Sequence, residues 1–148
     1  MTASAPAGYD DQNIFAKILR GEIPCHRVHE DADCLVFMDI MPEAEGHALV
    51  LPKAPSRNLL DADPAVLARI VGIVQRVARA AMTAFDADGV RIVQYNEAAA
   101  GQTVFHLHFH VIPASDAVAA RGHAKVTAAP EVLAANAARL RTALEGAA

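Results

Sequence analysis

Three of the seven histidines in this 148-residue chain occupy every second position in Phe105-His106-Leu107-His108-Phe109-His110-Val111-Ile112. An extended backbone alternates its side chains, so this spacing sends three imidazoles to one face and Phe105, Leu107, Phe109 and Val111 to the other. Successive rings on a strand face lie about 6.5–7 Å apart, close enough to influence one another's protonation. Strand histidines have two principal chemical uses, metal ligation and nucleophilic or acid–base catalysis. A metal site built on a His-x-His pair would need a carboxylate a few residues later, and Val111-Ile112-Pro113-Ala114 supplies none. Immediately upstream, Gly101 permits close backbone approach, while Gln102 and Thr103 offer an amide and a hydroxyl to a phosphate. A phosphate beside a neutral imidazole suggests attack of nitrogen on phosphorus.

The elements that must position these groups are legible from periodicity. Residues 1–9 read as a mobile leader rich in Ala, Pro, Ser and Gly. Asp10, Asp11 and Asn13 then offer caps for a short amphipathic helix carrying Ile14, Phe15, Ile18 and Leu19. Gly21 and Pro24 end it, and Cys25–His29, Cys34–Asp39 and His47–Leu51 read as three antiparallel strands. Asp63-Pro64 opens a long helix with Leu67, Ile70, Val71, Val74, Val77, Ala81 and Phe85 inward and Arg69, Gln75, Arg76 and Arg79 outward. Two further strands, Val90–Asn96 and Val104–Pro113, are expected to flank the 97–102 loop. Pro130 opens a helix with Leu133, Ala137, Leu140 and Leu144 on one stripe.

Composition bounds the possibilities. Thirteen Lys+Arg against 17 Asp+Glu gives a net charge of −4, unsuited to a nucleic-acid binder that neutralises many phosphates. Hydrophobic residues at 53% exclude disorder, and no apolar run is long enough for a membrane span, so neither nucleic acid nor membrane is an expected partner. The first residues lack the pattern of a secretory signal, and Cys25 and Cys34 lack a disulfide or C-x-x-C spacing, which makes a cytoplasmic protein with reduced, packed thiols the expectation. His26, His29 and His123 are expected at the surface without partners.

His106-Leu107-His108-Phe109-His110-Val111-Ile112 resembles the defining motif of the histidine-triad (HIT) proteins, His-φ-His-φ-His-φ-φ with φ apolar. The resemblance extends through Asn13–Ile18, Gly21–Pro24, Phe37–Ile40, Gly46–Lys53, Asn96-Glu97 and Gly101–Val104, about 100 residues, and is nearest the bacterial branch related to nucleoside phosphoramidate hydrolases. It implies an α+β domain over residues 10–114: an antiparallel sheet of about five strands with one long and one short N-terminal helix, usually paired as a homodimer. The 115–148 Ala-rich extension carries no motif. By the same resemblance, His108 attacks the α-phosphorus of a purine nucleoside 5′-phosphoramidate or related conjugate and forms a covalent nucleotidyl-imidazole. His106 fixes the tautomer of His108 through its backbone carbonyl, and His110 contacts the phosphate. Gln102 and Thr103 hold the phosphate and the departing group, Asn96 adds a phosphate contact, and His47 supports the triad. Asp39 would bind the ribose hydroxyls, with Ile14, Phe15, Ile18, Phe37 and Ile40 as walls around the base. A non-catalytic nucleotide-binding module and a dinucleoside polyphosphate hydrolase are the alternatives.

One departure from the family concerns zinc. Many bacterial relatives bind a structural zinc through positions that here hold Asn13, Ala16, Pro55 and His106. One imidazole is too few for a structural site of about four ligands. The expectation is therefore no metal and no cofactor.

Overall fold

The computed structural model describes residues 8–119 and 126–146, so the proposed leader lies outside the description except for Gly8 and Tyr9, and so does His123. The elements run α1 (Ile14–Leu19), β1 (Arg27–Glu30), β2 (Cys34–Met38), β3 (Ala48–Pro52), α2 (Pro64–Ala84), β4 (Gly89–Val93), β5 (Phe109–Ala114) and α3 (Pro130–Gly146). The strands form one antiparallel sheet in the order β1-β2-β3-β5-β4. The fold is α+β, as expected.

Both faces of the central strands are covered, which is why β2 and β3 are buried at every position. Alternation divides them. Cys34, Val36, Met38, Ala48 and Val50 join Phe109 and Val111 in a core completed by Ile70, Val74 and Val77 of α2 and by Leu133, Ala137, Leu140 and Leu144 of α3. Leu35, Phe37, Leu49 and Leu51 face the opposite way and pack with Phe15 of α1. Each fully buried Leu, Val or Phe contributes about 1.5–3 kcal/mol of transfer free energy, so the larger cluster dominates stability. The helix of the C-terminal extension thus shares the domain's main core.

Caps set the helix starts. Asn13 Oδ1 accepts from Ala16 N at 2.9 Å, and Asp63 Oδ1 accepts from Ala65 N at 2.8 Å with Pro64 next in line. Arg69, Gln75, Arg76 and Arg79 face solvent as expected, whereas Val71, assigned by periodicity to the inner stripe, is 54% exposed.

The last strand differs from expectation. It begins at Phe109, not Val104, because β3 reaches its final pair with β5 at Val50↔Phe109 and β4 at Val93↔His110. Residues 104–108 therefore run past the sheet and are tied down individually, as by Leu107 N–H donating to Ser56 O at 2.9 Å. Phe105 is only half-buried, its ring lying under the Arg57 guanidinium at 4.1 Å rather than in the core.

Gly46 closes the turn before β3 with φ +86°, and a Cβ built there would overlap the Phe85 ring at the end of α2. Arg139 of α3 lies over that ring, its guanidinium carbon 4.7 Å from the centroid, donating to Ala84 O and Glu45 Oε1, each at 2.8 Å. Gly46→Ala combines left-handed strain with overpacking and is expected to destabilise the fold by about 2–4 kcal/mol in urea unfolding. A loss below about 0.5 kcal/mol would show that Phe85 yields freely.

Candidate active site

The sheet register places His110 opposite Leu49, and hence on the α1 side with Phe37, while Phe109 and Val111 enter the α2–α3 core. The alternation continues upstream through His108 and His106 although no strand pairs with them. All three imidazoles are buried, His106 completely. The His108 and His110 ring centroids lie 5.1 Å apart.

Groups of fixed polarity assign the protons. A carbonyl can only accept, so His108 Nδ1, 2.6 Å from His106 O, carries the hydrogen and donates it. The neutral His108 ring then has its lone pair on Nε2. Glu43 N–H donates to His47 Nδ1 at 3.0 Å, which puts the hydrogen of neutral His47 on Nε2. That nitrogen lies 2.9 Å from His110 Nδ1, so His110 accepts there and carries its own hydrogen on Nε2. Asp39 Oδ2 stands beside this pair, 3.4 Å from His47 Nε2 and 4.0 Å from His110 Nδ1, while Asp39 Oδ1 accepts from Met41 N at 2.8 Å. The result is a nucleophile-type nitrogen on His108 neighboured by a donor-type imidazole on His110.

His106 is held differently. Its Nε2–H donates to Pro52 O at 2.8 Å, and its Nδ1 accepts from the Tyr9 hydroxyl at 2.6 Å. Burial and the neighbouring His108 push this imidazole down to about 4, against the upward pull of the Pro52 hydrogen bond. His106 is therefore neutral throughout the physiological range. Tyr9 carries no motif and falls in the stretch expected to be a leader; no sequence signal connects it with the triad 97 residues away.

Phe15 meets the triad directly, edge-on to His108 at 4.8 Å and to Phe37 at 5.5 Å. Ile18 packs partly buried in the same cluster. Ile14 and Ile40, by contrast, are 45% and 49% exposed, which makes them apolar surface that a flat ring could cover. Ala128 N–H donates to Ile40 O at 2.9 Å, bringing the segment before α3 to this wall.

The loop residues separate. Gln102 is buried, and both lone pairs and both amide hydrogens are spent on protein groups: Oε1 accepts from Glu97 N at 2.8 Å and Asn58 Nδ2 at 3.1 Å, and Nε2 donates to Arg57 O at 2.7 Å and Val104 O at 3.0 Å. The expected phosphate contact from this amide is corrected to loop positioning, since no hydrogen-bonding capacity is left for a ligand. Arg57 reinforces the loop with a bidentate pair to Glu97 at 2.8 and 2.9 Å. Gly101, at φ +108°, lies against the Tyr95 ring, which in turn contacts His110. Thr103 is exposed. Asn96 accepts from Leu59 N at 3.0 Å and exchanges amide hydrogen bonds with Gln94 at 2.8 and 2.9 Å.

Two groups of three potential metal ligands occur among the described residues, Asp39–His47–His110 and His29–Asp31–Cys34. The first is already organised by the hydrogen bonds given above. In the second, His29 has the partner the sequence did not foresee: its Nε2 lies 2.9 Å from Asp31 Oδ2. The Cys34 thiol donates to the same oxygen at 3.4 Å, and burial together with Asp31 pushes it up to about 12, so it stays a thiol. The residues at the family's zinc positions do not fit that ion: Asn13 Oδ1 is spent as the α1 cap, Ala16 and Pro55 have no donor, and both His106 nitrogens are engaged.

The HIT domain matches residues 20–117. The chain belongs to the HIT family. It is 46% identical over 100 residues to an uncharacterized HIT-like protein of Mycobacterium tuberculosis, covering 68% of this chain and 69% of that one. It is 40% identical over 113 residues to the adenosine 5′-monophosphoramidase of Saccharomyces cerevisiae, covering 76% and 69%. Among solved structures, a Hit-like protein from Bartonella henselae superposes with a TM-score of 0.86 at 50% identity, covering 92% of this chain and 99% of that one.

Within this HIT protein the neutral His106 couples stability to acid. Its folded pKa lies below the unfolded value, so its full contribution is present above about pH 6.5. As pH falls from about 6.5 to about 4 the unfolded chain alone takes up the proton, removing about 3 kcal/mol. Urea unfolding at several pH values should show this loss, and His106→Asn should flatten the slope by that amount. Equal slopes in parent and variant would overturn the assignment.

Proposed function

We propose that this HIT protein hydrolyses nucleoside 5′-phosphoramidates or related nucleotide conjugates through a covalent nucleotidyl-His108 intermediate. The observation that carries the reading is the 2.6 Å hydrogen bond from His108 Nδ1 to His106 O, which leaves the Nε2 lone pair of a buried imidazole as the reacting group. The activity named for the yeast relative supports the substrate class.

In the first step His108 Nε2 bonds to the α-phosphorus and the bond to the leaving amine breaks; the amine departs with a proton from solvent through the exposed Thr103 hydroxyl. The Nδ1–H stays on the ring, and His106 O stabilises the positive charge it acquires. His110 Nε2–H donates to a phosphoryl oxygen, and His47 holds His110 in that tautomer. Water then attacks phosphorus, the P–N bond returns its electron pair to Nε2, and the proton lost by water replaces the one given to the amine. Asn96 adds a phosphate contact, Asp39 accepts from the ribose hydroxyls, and Phe15, Phe37, Ile14, Ile18 and Ile40 flank the base.

We also propose a cytoplasmic homodimer. β4 is an edge strand, with Ile92 45% exposed on it and Val71 54% exposed on the adjacent helix, an apolar rim suited to a second copy. No described helix is long and apolar enough to cross a membrane.

His108→Ala is expected to lower turnover of adenosine 5′-phosphoramidate by at least about 10³-fold while AMP affinity stays within about threefold, since the nucleophile is lost and the pocket kept. Intact-mass trapping with the parent should give an acid-labile nucleotidyl adduct. Turnover within tenfold of the parent, or an acid-stable adduct, would overturn the reading. Asp39→Asn distinguishes two uses of that carboxylate. Ribose binding predicts a KM raised about tenfold with kcat nearly unchanged, because an amide accepts less well from two hydroxyls. A fall confined to kcat would place Asp39 in the support of His47 and His110 instead.

A further inference from the structure

The segment 104–108, which carries His106 and His108, receives no strand partner, yet the nucleophile's orientation depends on the carbonyl of His106. Its placement rests on separate anchors: Leu107 N–H on Ser56 O, the Gln102 amide on Val104 O, and the His106 ring. That ring is gripped from two sides. Pro52, at the end of β3, takes the Nε2–H, and Tyr9 supplies the hydroxyl that meets Nδ1 at 2.6 Å, with the two rings edge to face at 5.7 Å.

Tyr9 precedes the family match, which begins at residue 20, but the residues that follow it are bound to the ends of α1. Asn13 Nδ2 donates to Asp10 O at 2.7 Å, Gln12 N to Asp10 Oδ1 at 2.8 Å, and Arg20 Nη1 to Asp11 O at 2.8 Å. These bonds tie residues 10–12 to α1, whose Phe15 touches His108. One short arm and helix therefore contact two members of the triad.

We propose that Tyr9 is a positioning residue of this reaction: its hydroxyl holds His106 as the Nε2–H tautomer and so steadies the carbonyl that orients His108. The link ties the N-terminal arm to the first triad histidine by a hydrogen bond, where the residues do not fit a metal ion. A phenol suits the task because it both donates to the lone pair on Nδ1 and seals that side of the ring with apolar surface. The donated bond stabilises the neutral imidazole, since a protonated ring has no lone pair on Nδ1 and is met only by the phenol oxygen as a weaker acceptor. Removing it must therefore make His106 easier to protonate. The other groups acting on this ring are His108, whose charge opposes protonation, and Asp61 and Pro52 O, which favour it.

The kinetic consequence rests on the proposed reaction, whereas the effect on the ring does not, so the two are measured separately. Tyr9→Phe keeps the aromatic surface and removes the donor. Long-range 1H–15N spectra of the imidazoles, recorded from pH 8 to pH 4 without substrate, should show the His106 Nδ1 signal displaced and its titration moved up by about one unit. Tyr95→Phe, which alters a ring beside His110, should leave the His106 signal in place. With adenosine 5′-phosphoramidate, Tyr9→Phe should lower kcat about fivefold, as for loss of one positioning hydrogen bond, with KM within twofold. An unchanged His106 signal and titration would overturn the proposal whatever the kinetics. A displaced signal with unchanged kcat would confine Tyr9 to stability and overturn its role in positioning. If the parent shows no turnover, the proposed reaction fails while the spectra still decide what Tyr9 does to His106.

Discussion

A single main-chain carbonyl organises this site. His106 O accepts the Nδ1 hydrogen of His108 at 2.6 Å, and an imidazole has only two nitrogens, so this contact determines where the lone pair of the neutral ring lies. The same logic extends to the neighbouring rings. A main-chain N–H at Glu43 makes His47 a donor at Nε2, which makes His110 an acceptor at Nδ1 and a donor at Nε2. Neighbouring imidazoles thereby acquire opposite characters without any charge having to be buried. Groups of fixed polarity are better suited to this than titratable ones, because their direction does not change with pH.

The fold exists around that constraint in a specific way. Central strands covered on both faces supply a rigid floor, and the alternation that buries Phe109 and Val111 with α2 and α3 necessarily turns His110 toward α1. Beyond the sheet, rigidity has to come from side chains. Gln102, saturated by four protein partners, and the Arg57–Glu97 pair hold the loop that leads into the triad. Gly46 and Phe85 secure the turn that delivers His47. α3 contributes on two fronts, through the main core and through Arg139 against Phe85 and Glu45, which makes the C-terminal extension part of the support for the site.

Much of this was legible in the chain itself. Period-two histidines announced a common imidazole face, the 64–84 periodicity announced the long helix, and the Gly-Gln-Thr run marked the loop beside the triad. Those signals are local: each depends on residues within a few positions of one another, and backbone geometry alone converts spacing into facing direction. The family motif suggested roles for the same positions, among them the His106 carbonyl, which lies 2.6 Å from His108 Nδ1.

What only the tertiary structure decided is which distant groups meet. Tyr9 and His106 are 97 residues apart, His47 and His110 are 63, and Gln102 and Asn58 are 44, and no periodicity relates such pairs. Whether an amide is available to a ligand or consumed by its surroundings, as Gln102 is, depends on how many partners the fold brings within reach. Strand ends are decided in the same way: residues 104–108 have strand-like alternation, yet their neighbours in space run out at Phe109 and His110, and an extended segment without a partner is not part of a sheet. Sequence determined the faces and the chemistry available; the closing of long-range contacts determined the tautomers and hence which nitrogen keeps its lone pair.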